Sequence, residues 1–119
     1  MKPAFCTLFE GDYHLGAAAL INSLHRGGFT GVFICGHRGP PPPWASVAVP
    51  GVELRFVALD TAVHLTNHKP AFLLECLARH APDADQIFYA DPDLVVKAPW
   101  RILERWAADG LALVEDVNN

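Results

Sequence analysis

The chain has 119 residues, of which 51% are hydrophobic and 18% charged, and its formal net charge is −4. This length predicts one small domain, and the apolar content predicts a folded core and excludes a disordered chain. The excess of acids, without a basic stripe, argues against a nucleic-acid-binding protein. No apolar run approaches the roughly 18 residues of a membrane span, and the first residues do not form a signal peptide. We therefore expect a globular cytoplasmic protein.

The cysteines support the same expectation. Cys6, Cys35 and Cys76 are odd in number, widely spaced and embedded in apolar runs. This pattern is typical of reduced thiols in a core, and it favours neither a disulfide framework nor a zinc site.

The first third of the chain reads as strand, helix, strand. The apolar run 4–9 predicts a buried strand. Asp12 is the expected N-cap of a helix over 13–25, which Gly27 and Gly28 end. The run 31–36 lacks alternation, which predicts a strand buried on both faces of a parallel sheet.

The middle of the chain contains a proline run, a strand and a helix. Residues 39–44 are Gly-Pro-Pro-Pro-Pro-Trp, which we interpret as a stiff surface loop, the alternative being a ligand for proline-reading modules. Residues 52–59 predict a third strand. A helix over 68–80 is expected to be capped by Asn67 and ended by Pro82, with Leu77 among its inward residues.

The last third predicts a fourth strand over 86–90, a short helix over 100–109 and a fifth strand over 111–114. The alternation of strands and helices predicts an α/β fold with a mostly parallel sheet and flanking helices. Ligands bind such sheets beyond the carboxyl ends of the strands, so the residues that follow each strand are the candidates for function.

The clearest candidate is Asp91-Pro92-Asp93, which interrupts the apolar segment 88–96. Because Pro92 has no N–H, an inner strand cannot continue through it. Two carboxylates at this edge repel each other unless one is protonated or a cation lies between them. A hard cation such as Mg²⁺ or Mn²⁺ suits oxygen ligands and could hold a diphosphate. The alternative is a simple turn, but the apolar flanks favour a site.

Several of these segments resemble the glycosyltransferase-A fold, the Asp-x-Asp nucleotide-sugar transferases. They are the opening strand 4–8, Gly-Asp-Tyr at 11–13, the small-residue helix 16–24, and Lys69 ahead of the block 88–96. The glycogenin-like and lipopolysaccharide-galactosyltransferase-like group is the most similar. The resemblance spans nearly the whole chain, but only the front half of a typical family domain. It implies a Rossmann-like fold, with residues 1–119 as the nucleotide-sugar-binding part.

The resemblance also implies a function. It is metal-dependent glycosyl transfer from a nucleoside-diphosphate sugar, a UDP-sugar in particular, to an unspecified acceptor, with retained configuration. Asp91 and Asp93 match the family's pair of ligands for Mn²⁺ or Mg²⁺, and Asp91 also lies near the ribose. Lys69 matches a basic residue near the phosphates or sugar, and Asp116 a residue near the donor sugar.

Base recognition is implied for the end of the first strand and the loop after it. The resemblance points to Thr7, Phe9 and Tyr13. Glu10-Gly11 stand where the family often has Asn, which leaves the base open. Tyr13 could equally pack on a loop.

Lys69 also has an argument independent of the family. At the start of the expected helix, His68 and Lys69 would oppose the helix dipole unless an anion binds there. The alternative is a solvated lysine. His64 and His68 have the spacing of a metal pair, but with Asn67 between them we expect solvated side chains.

Two alternatives to a transferase remain. One is a non-catalytic nucleotide-sugar-binding module. Since the family's distal His ligand has no counterpart in these residues, we expect donor binding without efficient transfer. The other is an Asp-x-Asp phosphatase of the haloacid-dehalogenase type, which usually has Gly-Thr or Gly-Val after the pair on its first strand. Here Leu94-Val95 follow on the fourth.

Overall fold

The computed structural model of the protein describes residues 2–108. The predicted fifth strand at 111–114 and Asp116 lie outside the described residues. The elements in chain order are β1 (Pro3–Glu10), a 3₁₀ turn (Gly11–Tyr13), α1 (His14–Arg26), β2 (Gly31–Arg38), β3 (Val52–Ala58), α2 (Leu65–Glu75), a π-helical turn (Cys76–His80), β4 (Gln86–Tyr89) and α3 (Trp100–Trp106).

The four strands form one parallel sheet in the order β3-β2-β1-β4. In the centre of the sheet, Cys6 of β1 is paired with Ile34 on one side and Tyr89 on the other. The prediction of an α/β fold with a parallel sheet and flanking helices is confirmed, and the arrangement is compatible with a Rossmann-like fold. Because the strands are parallel, all four carboxyl ends lie along one edge, which we call the carboxyl edge.

Each face of the sheet has its own hydrophobic cluster. On the face covered by α1 and α3, the ring of Phe5 stacks on Phe33 and Phe88 at centroid distances of 5.6 and 6.0 Å. Trp100 of α3 packs edge-on against Phe88 at 4.8 Å. Phe72 of α2 is completely buried on the opposite face. Burial of one such aromatic side chain contributes about 1.5–3 kcal/mol, so the two clusters account for the layered arrangement.

All three cysteines are buried free thiols, as the sequence predicted. Within residues 2–108, no helix is long and apolar enough to cross a membrane.

The first helix begins differently from the prediction. Asp12 lies inside the 3₁₀ turn, and Tyr13 occupies the N-cap position without a side-chain hydrogen bond. Gly11 redirects the chain at the end of β1 with a φ of 57°, a left-handed conformation that glycine adopts without strain. The expected capping by Asp12 is therefore wrong, because the chain turns before an ordinary cap can form. The glycine stop is confirmed, with Gly28 at a φ of 97°.

The second helix begins earlier than predicted. Asn67 is not its cap. The Nδ1 atom of His64 accepts a hydrogen bond from the backbone N–H of Thr66, at 3.2 Å, and the helix starts at Leu65. The earlier start lets Leu65 pack against the cluster around Phe72. Leu77, predicted to face inward, is 41% exposed, because the helix changes to a π-helical turn at Cys76.

Residues 39–44 lie outside the helices and strands, which confirms the predicted loop. Trp44 anchors this loop to the sheet. Its ring packs against Phe56 at a centroid distance of 5.8 Å, and its Nε1–H donates to Nδ1 of His14 at 3.2 Å. Trp44 is therefore a packing residue.

Candidate functional site

The candidate site is the Asp91-Pro92-Asp93 turn at the carboxyl edge. Strand β4 ends at Tyr89, and the backbone N–H of Leu94 donates to the carbonyl oxygen of Asp91 at 3.1 Å. Asp91 is half-buried and Asp93 is exposed. The predicted end of the strand is confirmed, and both carboxylates stand at the edge where parallel α/β sheets bind ligands.

Two elements hold this turn in place. The Thr7 hydroxyl of β1 donates to the carbonyl oxygen of Ala90 at 2.7 Å. Gly16 of α1 lies so close that a Cβ there would be 1.9 Å from the carbonyl oxygen of Pro92. Farther along the chain, the Ser23 hydroxyl accepts a hydrogen bond from the N–H of Val96 at 2.9 Å. The turn is thus fixed against β1 and α1, which limits its freedom to rearrange.

Lys69 of α2 meets the turn directly. Its ammonium lies 2.7 Å from Oδ1 of Asp91 and 5.3 Å from the ring centroid of Tyr89. The Tyr89 hydroxyl donates to the same Oδ1 at 3.1 Å. Tyr89 and Asp91 are two residues apart at a strand end and share the face that α2 covers, which explains how the three side chains converge.

The position of Lys69 differs from the expectation in one respect. Since α2 begins at Leu65, Lys69 lies beyond the first turn of the helix. The helix dipole therefore does not oppose its charge as we expected, because that effect is confined to the terminal turn. Its charge is compensated by Asp91 instead.

Tyr89 is part of the site that the sequence analysis missed. Burial, followed by the negative charge of Asp91, raises the pKa of its phenol well above the usual value. The hydroxyl therefore stays protonated and remains a donor to Asp91. The signal in the sequence was the i, i+2 spacing of Tyr89 and Asp91, which places both on one face of a strand.

The two aspartates suit a divalent cation that arrives with a phosphate. Among residues 2–108, no three His, Cys, Asp or Glu side chains form a cluster that could hold a metal by themselves. Mg²⁺ is commonly held by one or two carboxylates together with phosphate oxygens and water. Asp91 and Asp93 provide two carboxylates at this turn, so a cation held there would need its remaining ligands from outside the protein.

The three residues predicted to hold a base lie at the end of β1 or just after it. Tyr13 is 61% exposed beside the carboxyl edge, where a flat ligand can reach its ring. Thr7 and Phe9 are buried, Thr7 bonded to Ala90 and Phe9 packed against Trp44 at a centroid distance of 6.4 Å. The side chain of Tyr13 is therefore exposed to a ligand, whereas those of Thr7 and Phe9 lie in the interior.

Arg38 lies at another part of the same edge, and no sequence pattern pointed to it. Its guanidinium donates to both carboxylate oxygens of Glu10, at 2.7 and 2.9 Å, and to the carbonyl oxygens of Thr61 and Val63. This bidentate contact lowers the pKa of the Glu10 carboxyl. Arg38 thereby links the segment before α2 to the end of β1, and α2 is the helix that carries Lys69.

The two histidines differ from the expectation that both are solvated, because His68 lies inside α2 and is partly buried. His64 caps α2 through its ring nitrogen and is exposed, while the ring of His68 lies 6.2 Å from that of Phe72. They do not form a metal cluster within the described part of the chain.

Two clefts, of about 350 and 390 Å³, lie at the opposite edge of the sheet, beside Pro3 at the start of β1. Neither cleft is lined by Asp91 or Asp93. The choice of the carboxyl edge therefore rests on its chemistry and on the topology of parallel sheets.

Comparisons with known proteins assign the chain to no family. No model of a known protein family matches the chain, and no curated protein matches its sequence.

Proposed function

We propose that the chain binds a nucleoside-diphosphate sugar, a UDP-sugar in particular, together with Mn²⁺ or Mg²⁺, as the donor-binding part of a glycosyltransferase. The observation that carries the proposal is the rigidly held Asp91-Pro92-Asp93 turn at the carboxyl edge, with Lys69 attached to it. The resemblance to Asp-x-Asp transferases supports the same reading.

The residues have complementary roles in this proposal. Asp91 and Asp93 hold the cation, which when bound neutralises the diphosphate leaving group. In the transfer, the acceptor's nucleophilic atom forms a bond to the sugar's anomeric carbon and loses its proton to solvent. The bond from that carbon to the β-phosphate oxygen breaks, and its electron pair goes to the oxygen. Lys69 places a positive charge where this negative charge develops. Tyr13 offers an exposed ring to the base.

The phosphatase alternative is less consistent with the position of the two aspartates in the fold. That family usually carries its pair on the first strand. Here the pair follows β4, the fourth strand in chain order, which lies at the edge of the sheet.

The test is UDP binding measured by calorimetry with Mn²⁺ and with a chelator. We expect Mn²⁺ to strengthen UDP binding and Asp93→Asn to remove that effect, since Asn keeps the shape but not the charge. Asp83→Asn, an exposed substitution before β4 at the other edge, is the matched control and should behave as wild type. Equal UDP affinity with Mn²⁺ and with chelator would refute the metal-dependent function.

A further inference from the structure

The charges of the turn are partly balanced by the protein itself. Asp91 and Asp93 contribute two negative charges, and the Lys69 ammonium lies 2.7 Å from Oδ1 of Asp91. Two neighbouring carboxylates are stabilised by a nearby positive charge, and the Lys69 ammonium of α2 already provides that charge at Asp91. A divalent cation bound to the same carboxylate would lie close to the ammonium, and the two positive charges would repel each other.

We propose that Lys69 is an exchangeable counter-ion. It neutralises Asp91 in the ligand-free protein, and it transfers to the diphosphate when the divalent cation takes its place. This inference rests on the proposed function, because a diphosphate is the partner that receives Lys69.

The geometry of the pair favours exchange. The side chains of Lys69 and Asp91 are 30% and 44% exposed, so solvent screens their attraction and the pair is weak. A lysine ammonium is a compact charge on a flexible stem, which can move from a carboxylate to a nearby phosphate. The Tyr89 hydroxyl, at 3.1 Å from Oδ1, keeps Asp91 in position after Lys69 has left.

A consequence is that the cation and the diphosphate bind with positive coupling. The cation alone must displace Lys69 without giving it a new partner. The diphosphate alone is repelled by the two carboxylates, because all of these groups are negatively charged. Bound together, they neutralise each other and Lys69 gains a phosphate contact. Coupling is reciprocal, so each ligand should strengthen the other by the same factor, on the order of tenfold.

The experiment is a titration with Mn²⁺, in which free Mn²⁺ is followed by electron paramagnetic resonance, with and without saturating UDP. Lys69→Met removes the charge and keeps the length of the side chain. Lys97→Met, at an exposed position in the loop before α3, changes the net charge equally and is the control. Lys69→Arg retains the positive charge.

We expect Lys69→Met to bind Mn²⁺ alone about two- to fivefold more tightly than wild type, which corresponds to a weak exposed ion pair. In the same variant, UDP should strengthen Mn²⁺ binding less than it does in wild type. Lys97→Met and Lys69→Arg should keep the wild-type Mn²⁺ affinity. An unchanged Mn²⁺ affinity in Lys69→Met overturns the proposal, and so does an equal gain in Lys69→Arg.

The outcomes separate this inference from the proposed function. If Lys69→Met gains Mn²⁺ affinity while wild type does not bind UDP, the displacement of Lys69 by the cation stands, whereas its transfer to a diphosphate fails together with the donor-binding function. If Mn²⁺ strengthens UDP binding in wild type but Lys69→Met responds as Lys97→Met does, the function stands and the exchange fails.

Discussion

At the scale of the residue, the hydrogen bond from Tyr89 to Asp91 is the contact that can be tested most directly. Tyr89→Phe removes only the hydroxyl that lies 3.1 Å from Oδ1. Because hydrogen bonds to charged groups contribute more than neutral ones, we expect the free energy of unfolding to fall by about 1–2 kcal/mol. Urea denaturation measures this value.

The chain offers a matched control, since its other tyrosine, Tyr13, is 61% exposed. Tyr13→Phe should change the free energy of unfolding by less than about 0.5 kcal/mol. Equal values for the two variants would show that the Tyr89 hydroxyl does not contribute to stability.

The raised pKa of Tyr89 also predicts how stability depends on pH. The pKa of a tyrosine in an unfolded chain is about 10, and that of Tyr89 is higher in the folded protein. The folded state therefore holds the phenolic proton more tightly. The resulting contribution to stability is complete below about pH 10 and decreases as the pH rises above it.

We accordingly expect wild type to lose more stability than Tyr89→Phe between about pH 9 and 11. Urea denaturation of both proteins across that range provides the measurement. Parallel pH profiles would contradict the prediction, because they would show that Tyr89 titrates alike in both states.

At the scale of the element, the contact between α1 and the Asp91-Pro92-Asp93 turn depends on Gly16. A Cβ at this position would lie 1.9 Å from the Pro92 carbonyl oxygen, so Gly16→Ala must push the helix and the turn apart. Crowding of this kind costs about 1–3 kcal/mol, which exceeds the helix propensity that alanine gains. We expect lower stability in urea and weaker UDP binding with Mn²⁺.

Asn22→Ala is the control for this substitution, because it places alanine at an exposed position of the same helix. It should raise stability by a few tenths of a kcal/mol or more, since alanine favours helices. If Gly16→Ala also stabilised the protein, the close approach of α1 to Pro92 would be wrong.

The strands were more predictable than the helix starts, and the reason is physical. Buried parallel strands are continuous apolar runs, and β1 and β2 follow such runs closely, whereas the edge strand β3 alternates apolar residues with Glu53 and Arg55. Asp12 and Asn67 are good capping residues in isolation. The left-handed Gly11 and the packing of the partly buried Leu65 moved both helix starts elsewhere. A cap contributes about 0.5–2 kcal/mol, which packing of a leucine can offset, so capping preference alone does not decide where a helix begins.

The same reasoning applies to the candidate site. Asp91 and Asp93 were placed at the carboxyl edge from the sequence alone, because Pro92 must end the strand. The contact between Lys69 and Asp91 was not predicted, since it depends on where α2 crosses the sheet. The supporting contact of Gly16 with Pro92 joins segments far apart in the chain, and local sequence patterns do not predict such contacts.

At the scale of the whole molecule, the three cysteines lie on both faces of the sheet, so their reactivity can show which face opens first. Cys35 belongs to the cluster beneath α1 and α3, and Cys6 and Cys76 belong to the cluster beneath α2. Contact with Cys76, together with burial, raises the pKa of Cys6, and burial raises that of Cys35. Since the thiolate is the reactive form, labelling requires the protein to open.

The α2 side should open first. Pro70 interrupts the backbone hydrogen bonds of α2, and Leu74, at 69% exposure, leaves much of its apolar surface outside the core. Regions with less burial open at lower free energy than the centre of a sheet. With iodoacetamide under native conditions, we therefore expect Cys76 to be labelled before Cys6 and Cys35, as measured by mass spectrometry of the cysteine peptides. Cys6 is an internal control, because it shares the cluster of Cys76 but lies on β1. Equal rates for all three thiols would instead mean that α2 and the sheet unfold in a single cooperative step.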